Sequence, residues 1–157
     1  MIANEHTATI NGKDLPISTK HAVEICKFIK GKSLQKSRQM LQAVIEKKRA
    51  VPFTRYKKDM GHKPGRIAAG RYPEKASKCI LKLINSLEAN AQNKGLDADG
   101  LVLTTLIANR GSRPWHFGRL RRRKTKRTHI MIVAEEQSKE KTKPQQKQQP
   151  RGEVQKQ

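Results

Sequence analysis

The chain has 157 residues, enough for one domain with tails, and carries 35 Lys and Arg against 13 Asp and Glu, a formal net charge of +22. Such a charge requires screening by salt or by an anionic partner, so the composition favours binding to nucleic acid, with an anionic membrane surface as the second option. No apolar run approaches the roughly 20 residues of a membrane span, and the first five residues show no secretory signal, so we expect a cytoplasmic protein.

The N-terminal third predicts a short strand followed by two helices. Ala8–Ile10 is typical of an edge strand, and Asn11-Gly12 predicts a turn after it. The first helix is predicted to begin at Ser18 or the next residue and to end at Gly31, and the second to run from about Ser33 to Lys48. The apolar positions of each helix repeat at the spacing of one buried face: Ala22, Ile25, Cys26 and Ile29 in the first, and Leu34, Met40, Leu41, Val44 and Ile45 in the second.

Residues 50–72 read AVPFTRYKKDMGHKPGRIAAGRY, in which prolines and glycines interrupt every periodic pattern. The pattern predicts a long loop, and long loops in compact domains are usually functional or disordered. From Lys47 to Lys75 there are ten Lys or Arg and two acidic residues, with Phe53, Tyr56 and Tyr72 between them. Aromatic rings among cations suit stacking on bases and pairing with phosphates. The alternative, that the rings anchor the loop on the core, weighs more for Phe53 than for Tyr56.

A third helix and two strands are predicted after this loop. The helix lies between Pro73 and Gly95. One apolar face runs along it: Ala76, Cys79, Ile80, Leu83, Ile84, Leu87 and Ala91. The strands are LVLTTLIAN, residues 101–109, and THIMIVA, residues 128–134, and the segment between them is then the tip of a β-hairpin.

The hairpin arm, residues 109–128, is the most basic segment of the chain. Between Arg110 and Arg127 there are nine Lys or Arg and no acidic residue, together with the only tryptophan, Trp115. An isolated two-stranded arm is marginal in water, and this one also repels itself, so we predict that it becomes ordered only against its partner. Trp115 and His116 are predicted to stack on the nucleic acid or to wedge where the arm bends. The alternative for Trp115 is a hydrophobic contact that folds the tip on itself.

No enzyme signature holds in this sequence. The stretch GHKPGRIAAGR lacks the spacing of a phosphate-binding loop, and no nucleophile or carboxylate lies close to His116 or His129 in the sequence. Cys26 and Cys79 are far apart and the histidines are scattered, so we expect no metal site and no cofactor, and we expect both thiols to be buried and reduced. We therefore predict a single binding domain over residues 1–134. Residues 135–157, rich in glutamine and mixed charge, predict a disordered polar tail.

A basic loop and a flexible arm suit irregular folded RNA better than duplex DNA, which more often receives a rigid helix. The alternative is a helix-turn-helix DNA-binding protein, in which the first two helices pack around a turn at Gly31. Its second helix offers Gln35, Lys36, Arg38, Gln39 and Gln42. That alternative leaves both basic segments without a role.

Seven stretches of this chain occur together, and in the same order, in a known family: KHAVEICKFIKG, VPFTRY, GHKPG, AAGRYPEKA, EANAQNKGLDADGL, FGR and THIMIVAEE, within residues 18–136. On these stretches the chain resembles the large-subunit ribosomal protein twenty-two family in its archaeal and eukaryotic form (numbered seventeen in eukaryotic naming). The resemblance implies an α+β fold, with three helices packed on a small three-stranded antiparallel sheet and a long protruding β-hairpin.

The resemblance also implies a function. A member of this family is a structural constituent of the large ribosomal subunit that binds rRNA, supports subunit assembly and contributes its hairpin to the wall of the nascent-peptide exit tunnel. The implied partners are rRNA, neighbouring ribosomal proteins and the nascent peptide near the hairpin tip, with no membrane, no homo-oligomer and no catalytic role. The predicted rRNA-binding residues are Arg55, Tyr56, Lys57, Lys58, His62, Lys63, Arg66 and Arg71 in the loop, and Arg110, Arg113, Trp115, His116, Arg119, Arg121, Arg122, Arg123, Lys124, Lys126 and Arg127 in the hairpin.

The chain departs from the family pattern on the ascending arm of the hairpin. Between Gly111 and Phe117 it has only SRPWH, where the family pattern has a longer segment with a Pro-Arg-Ala lead-in. We therefore expect an arm that is shorter or has a rebuilt tip. The descending arm, RLRRRKTKRTHI, is more basic than the family pattern.

Overall fold

The computed structural model describes residues 6–136. The elements in chain order are β1 (Thr7–Leu15), α1 (Thr19–Ile29), α2 (Leu34–Ile45), β2 (Val51–Pro52), β3 (Gly70–Arg71), α3 (Glu74–Asn93), β4 (Leu101–Arg110) and β5 (Thr128–Glu136). Glu135 and Glu136, which were predicted to begin the tail, pair instead in β5. The rest of the predicted tail, residues 137–157, lies outside the described residues.

The main sheet is three-stranded and antiparallel, in the order β1-β5-β4. Helix α3 packs against β1, α1 packs against β4, and α2 packs against α3. Alternate strand residues point into this layer and are fully buried, among them Leu103, Ile130 and Ile132. The predicted α+β fold, with three helices on a three-stranded antiparallel sheet, is confirmed.

The predicted turn at Asn11-Gly12 is wrong, because β1 continues through both residues. Asn11 pairs with Met131 and Gly12 with Ile130 in β5. A Cβ atom on Gly12 would lie 2.9 Å from the side-chain methyl groups of Leu83 in α3. The glycine is therefore explained by the close approach of α3 to β1, a use of glycine that resembles a turn signal in the sequence.

The helix boundaries follow the predicted signals at most ends. Ser18 and Ser33 are the N-caps, and Gly31 has φ +71°, a conformation that suits the residue after a helix end. Helix α2 ends at Ile45, before the predicted Lys48, because Lys47 adopts φ +60° and leaves the helical path.

The two cysteines differ in burial. Both are free thiols. Cys26 is buried as predicted, and burial raises the pKa of its thiol to about 12. Cys79 is only partly buried, so the prediction of a buried thiol is wrong there. Like Leu83 on the same helix, it is partly buried and packs against the margin of the core.

Candidate RNA-binding surface

The basic loop, residues 50–72, is closed at its base by a two-stranded sheet. Val51 pairs with Arg71, and Pro52 with Gly70. Phe53, the next residue, is 3% exposed and belongs to the core. The anchoring alternative is therefore correct for Phe53.

Tyr56 combines anchoring with access to solvent. It is partly buried against the core, and its ring has the Arg55 guanidinium 5.6 Å and the Lys20 ammonium 5.7 Å from its centroid. Both cations are at the end of exposed, long side chains. The ring is therefore held in place by the core on one side and contacted by flexible groups on the other.

The buried carboxylate of Glu24, in α1, holds the start of the loop. Its Oε1 accepts hydrogen bonds from the backbone N–H of Arg55 at 2.8 Å and of Tyr56 at 2.9 Å. Its Oε2 accepts from the backbone N–H of Thr54 at 3.2 Å and from the Thr54 hydroxyl at 3.3 Å. Burial alone would raise the pKa of Glu24, but the hydrogen bonds from Tyr56, Thr54 and Arg55 outweigh it and hold the pKa below its usual value.

Glu24 was missed by the sequence analysis because it lies outside the stripe of Ala22, Ile25, Cys26 and Ile29, where a charged residue is expected to face solvent. In the structure it is 1% exposed. A carboxylate is almost never buried without partners. The loop supplies those partners, and the helix periodicity alone gives no signal for them.

The base of the hairpin is tied to the N-terminus of α1 through Thr128, the first residue of β5. The buried Thr128 hydroxyl donates to the Ile17 carbonyl at 3.0 Å. Since its one proton is used there, it accepts from the Thr19 hydroxyl, 2.9 Å away. This contact fixes the direction in which the chain enters β5 and places Lys126 beside α1.

Three neighbouring cavities share lining residues, and together we call them the basic groove. Ser18 and Lys126 line all three. The first, about 380 Å³, lies at the hairpin base and is also lined by Arg110, Arg113 and Arg127. The second, about 390 Å³, is lined by His21, Tyr72 and Lys75 among others. The third, about 650 Å³, lies under the loop and is also lined by Lys20, His21, Phe53, Arg55, Tyr56, Lys57, Lys58, Met60 and Arg71.

The basic groove brings together two segments that are far apart in the sequence. Arg55, Tyr56, Lys57, Lys58 and Arg71 of the loop meet the hairpin-base residues there. His62, Lys63 and Arg66 do not line it. His62 forms a bridge to Ala69 within the loop, and the Lys63 ammonium lies 5.7 Å from the Tyr72 ring centroid.

Lys20, His21 and Met60 line the groove without having been predicted. His21 contacts the Phe53 ring edge-on, with 5.5 Å between ring centroids. Burial lowers the pKa of His21, and the charges of Arg71 and Lys126 lower it further, so its imidazole is neutral at pH 7. Lys20 and His21 are the first two residues of KHAVEICKFIKG, one of the stretches shared with the family. That motif is the sequence signal by which these two groove residues were recognisable.

The hairpin tip, residues 111–127, continues beyond the sheet as an irregular ladder. Gly111 N–H donates to the Arg127 carbonyl, and His116 N–H donates to the Arg123 carbonyl at 2.9 Å. No residue between 111 and 127 is buried. Trp115 is 60% exposed, with the Lys124 ammonium 4.4 Å from the ring centroid. The structure therefore does not agree with the alternative in which Trp115 folds the tip on itself through a hydrophobic contact.

None of the predicted rRNA-binding residues is buried. Within residues 6–136, Arg127 is the only one of them in an ion pair, with Asp14 at 3.8 Å. Over the same range, the remaining cations of this set have no carboxylate close enough to form an ion pair. Both the groove and the tip are thus available for anionic ligands.

The helix-turn-helix alternative does not agree with the contacts of α2. Arg38 donates to Asn85 and pairs with Glu88 of α3, and Gln35 donates to Asp99. The turn before α2 is bonded to β4, where Gly31 N–H donates to the Leu103 carbonyl at 2.8 Å. Two of the five side chains proposed for base contacts, Gln35 and Arg38, are thus used within the domain.

Two further classes of site are absent from the described part of the chain. No three His, Cys, Asp or Glu side chains between residues 6 and 136 come together as a metal site. Over the same residues, no helix has both the length and the apolar character needed to cross a membrane.

Comparison with known proteins gives one family. The ribosomal protein L22p/L17e family matches residues 10–135, more than half of the chain. The chain is 46% identical over 131 residues to the large ribosomal subunit protein uL22 of Archaeoglobus fulgidus, an alignment that covers 79% of this chain and 84% of that protein. It is 44% identical to the protein of the same name from Cenarchaeum symbiosum, over 79% of this chain and 86% of that one. With the Nanoarchaeum equitans protein of that name it shares 43% identity, over 84% of this chain and 81% of the relative.

Proposed function

The chain belongs to the ribosomal protein L22p/L17e family and is a structural protein of the large ribosomal subunit, and we propose that it binds rRNA through the basic groove and the hairpin. In this role it supports subunit assembly, and its hairpin tip contributes to the wall of the nascent-peptide exit tunnel. It acts in the cytoplasm as part of the ribosome and carries out no reaction of its own.

One observation carries this proposal. Lys126 lines all three cavities of the groove and so connects the basic loop with the base of the hairpin in one surface. Four cations of the hairpin base line the first cavity of the groove, and the loop cations line the third. Each cation that neutralises a phosphate releases a condensed counterion, which favours binding without reading sequence. A concave surface flanked by a protruding arm fits folded RNA, in which several helices and loops meet.

The hairpin tip supports the proposed place in the tunnel wall. It projects beyond the sheet and exposes Trp115 and Phe117, the latter 94% exposed, among cations. Exposed apolar groups that lie together and are rimmed by polar residues mark a surface that meets a partner. The proposed partners are rRNA along the arm, the nascent peptide at the tip and neighbouring ribosomal proteins on the remaining surface.

Ultraviolet cross-linking in cells tests this function. RNA attached to residues 110–127 is sequenced after digestion of the protein. We expect fragments of large-subunit rRNA from the wall of the exit tunnel, in one or a few places. Cross-links to messenger RNA alone, or recovery of the chain on DNA, would contradict the proposal.

A further inference from the structure

The third cavity of the basic groove differs in character from the other two. Its inner wall is built from Phe53, Tyr56 and Met60, which are wholly or partly buried against the core. Its rim carries six cations: Lys20, Arg55, Lys57, Lys58, Arg71 and Lys126. A surface that meets only phosphates has no need for the apolar wall, and an apolar ligand has no need for the cations.

The composition of this cavity corresponds to the two halves of a nucleotide. A base is flat and stacks on aromatic and apolar groups, while its phosphate binds cations. The Tyr56 ring is fixed by the core, and Arg55 next to it has a planar guanidinium that also stacks on bases. The neutral imidazole of His21 offers one donor and one acceptor at the cavity wall for a base edge.

The cavity is large enough for a nucleotide, and its aromatic wall favours an unpaired base. A volume of about 650 Å³ lies within the range of roughly 300–1,000 Å³ of small-ligand pockets. Bases stacked inside a helix are not accessible to such a wall, whereas unpaired bases in loops and bulges are. The cavity therefore suits one base that is turned out of its helix.

We propose that this cavity receives a single unpaired nucleotide of the bound RNA, with its base against Tyr56 and Met60 and its phosphate among the rim cations. The proposal rests on the proposed function, in which the basic groove faces rRNA. The loop, on this view, selects a structural feature of the RNA, whereas the rest of the groove supplies attraction to the backbone.

The test compares two labelled RNA hairpins that are identical except for one bulged adenosine. The full-length chain is expected to bind the bulged hairpin more tightly than the paired one. Tyr56→Leu keeps an apolar side chain but removes the ring, and we expect it to reduce the ratio of the two affinities by about fivefold to a hundredfold, the range of one base–aromatic stack. Tyr56→Phe is the matched control, and we expect it to keep the preference. Thermal unfolding of both variants confirms that they are folded.

A measurement on the unmodified chain is independent of these variants. With 2-aminopurine at the bulged position, fluorescence is expected to change on binding, since the base moves from its helix into a stack with Tyr56. Equal affinity for the two hairpins, or a Tyr56→Leu variant that weakens both equally, would overturn the nucleotide pocket while leaving rRNA binding intact. Failure of the chain to bind either hairpin or large-subunit rRNA would instead overturn the proposed function.

Discussion

The basic loop, residues 50–72, and the hairpin tip, residues 111–127, are both rich in cations, but only the loop is attached to the core. The loop has Phe53 in the core, a two-stranded base and the Glu24 carboxylate bonded to three successive amides. The tip has no buried residue and depends on hydrogen bonds across the hairpin.

The loop and the tip therefore present their cations to an anionic partner in two different ways. In the loop, the cost of ordering the chain is met during folding by burial and hydrogen bonds, so a shaped cavity exists before binding. For the tip, we predict that this cost falls at the moment of binding, since coupled ordering lowers affinity for a given contact area but lets the arm adapt to its surroundings. Three changes test this contrast, in order of decreasing expected effect.

The largest effect is expected from Glu24→Gln. The amide keeps the shape of the side chain but loses the charge, and it offers an N–H₂ group where three backbone donors converge. Hydrogen bonds to buried charged groups contribute roughly 1.5–3 kcal/mol each, so we expect the free energy of unfolding to fall by about 3 kcal/mol. Denaturant unfolding gives the value, and hydrogen exchange is expected to show loss of protection at Thr54, Arg55 and Tyr56. Glu46→Gln, at an exposed position, is the matched control, and we expect it to leave the unfolding free energy essentially unchanged.

The pH dependence of the unfolding free energy shows whether the charge of Glu24 is the cause of the loss in Glu24→Gln. The folded-state pKa of Glu24 lies below its unfolded value near 4.5, so its contribution is complete above that pH and is lost as the pH falls through the folded pKa. The difference in unfolding free energy between the wild-type chain and Glu24→Gln is therefore expected to be constant near pH 7 and to shrink as the pH falls below 4.5. A difference that does not change with pH would mean that shape, and not charge, holds the loop.

An intermediate effect, on RNA binding alone, is expected when Arg121, Arg122 and Arg123 are all changed to Gln. These side chains are exposed and in no ion pair within the described part of the chain, so the circular dichroism spectrum and the unfolding free energy should stay unchanged. Affinity for large-subunit rRNA is expected to fall by about tenfold or more at physiological salt. The slope of log K against log salt should decrease by roughly 0.7–0.9 for each phosphate that the variant no longer neutralises.

The matched control for this variant removes three charges elsewhere, through Lys36→Gln, Lys78→Gln and Lys82→Gln. These lysines are exposed on α2 and α3 and line neither the groove nor the tip. An equal decrease of the slope in the control would mean that net charge, and not the position of the tip, determines binding. A collapse of the circular dichroism spectrum in the arginine variant would show that the arm stabilises the domain.

The contrast between loop and tip also explains what the sequence predicts and what it does not. Helix faces, caps and strands follow from periodicity and from Ser18, Ser33 and Gly31, because these signals are local. Most cations of the groove, though not Lys20, were identified by composition, but their meeting at Lys126 depends on the Thr128 contact, which joins segments about a hundred residues apart. The role of Gly12 was mistaken for the same reason, since a turn and a close helix approach both select glycine and only the packing of Leu83 distinguishes them.

The smallest effect is expected from Lys124→Gln, which removes the cation next to Trp115. A cation–π contact at an exposed site contributes roughly 0.5–1 kcal/mol, and at the tip it stabilises only the local ladder. We therefore expect the global unfolding free energy to change by less than about 0.5 kcal/mol.

Trp115 is the only tryptophan of the chain, so its fluorescence reports on the tip alone. In the free wild-type chain we expect easy quenching by acrylamide, because the ring is 60% exposed. Added rRNA should protect the ring from acrylamide in both chains, since ordering of the tip comes from the partner. Protection in the free wild-type chain that disappears in Lys124→Gln would show that the tip is preorganised like the loop, and the contrast drawn above would then be wrong.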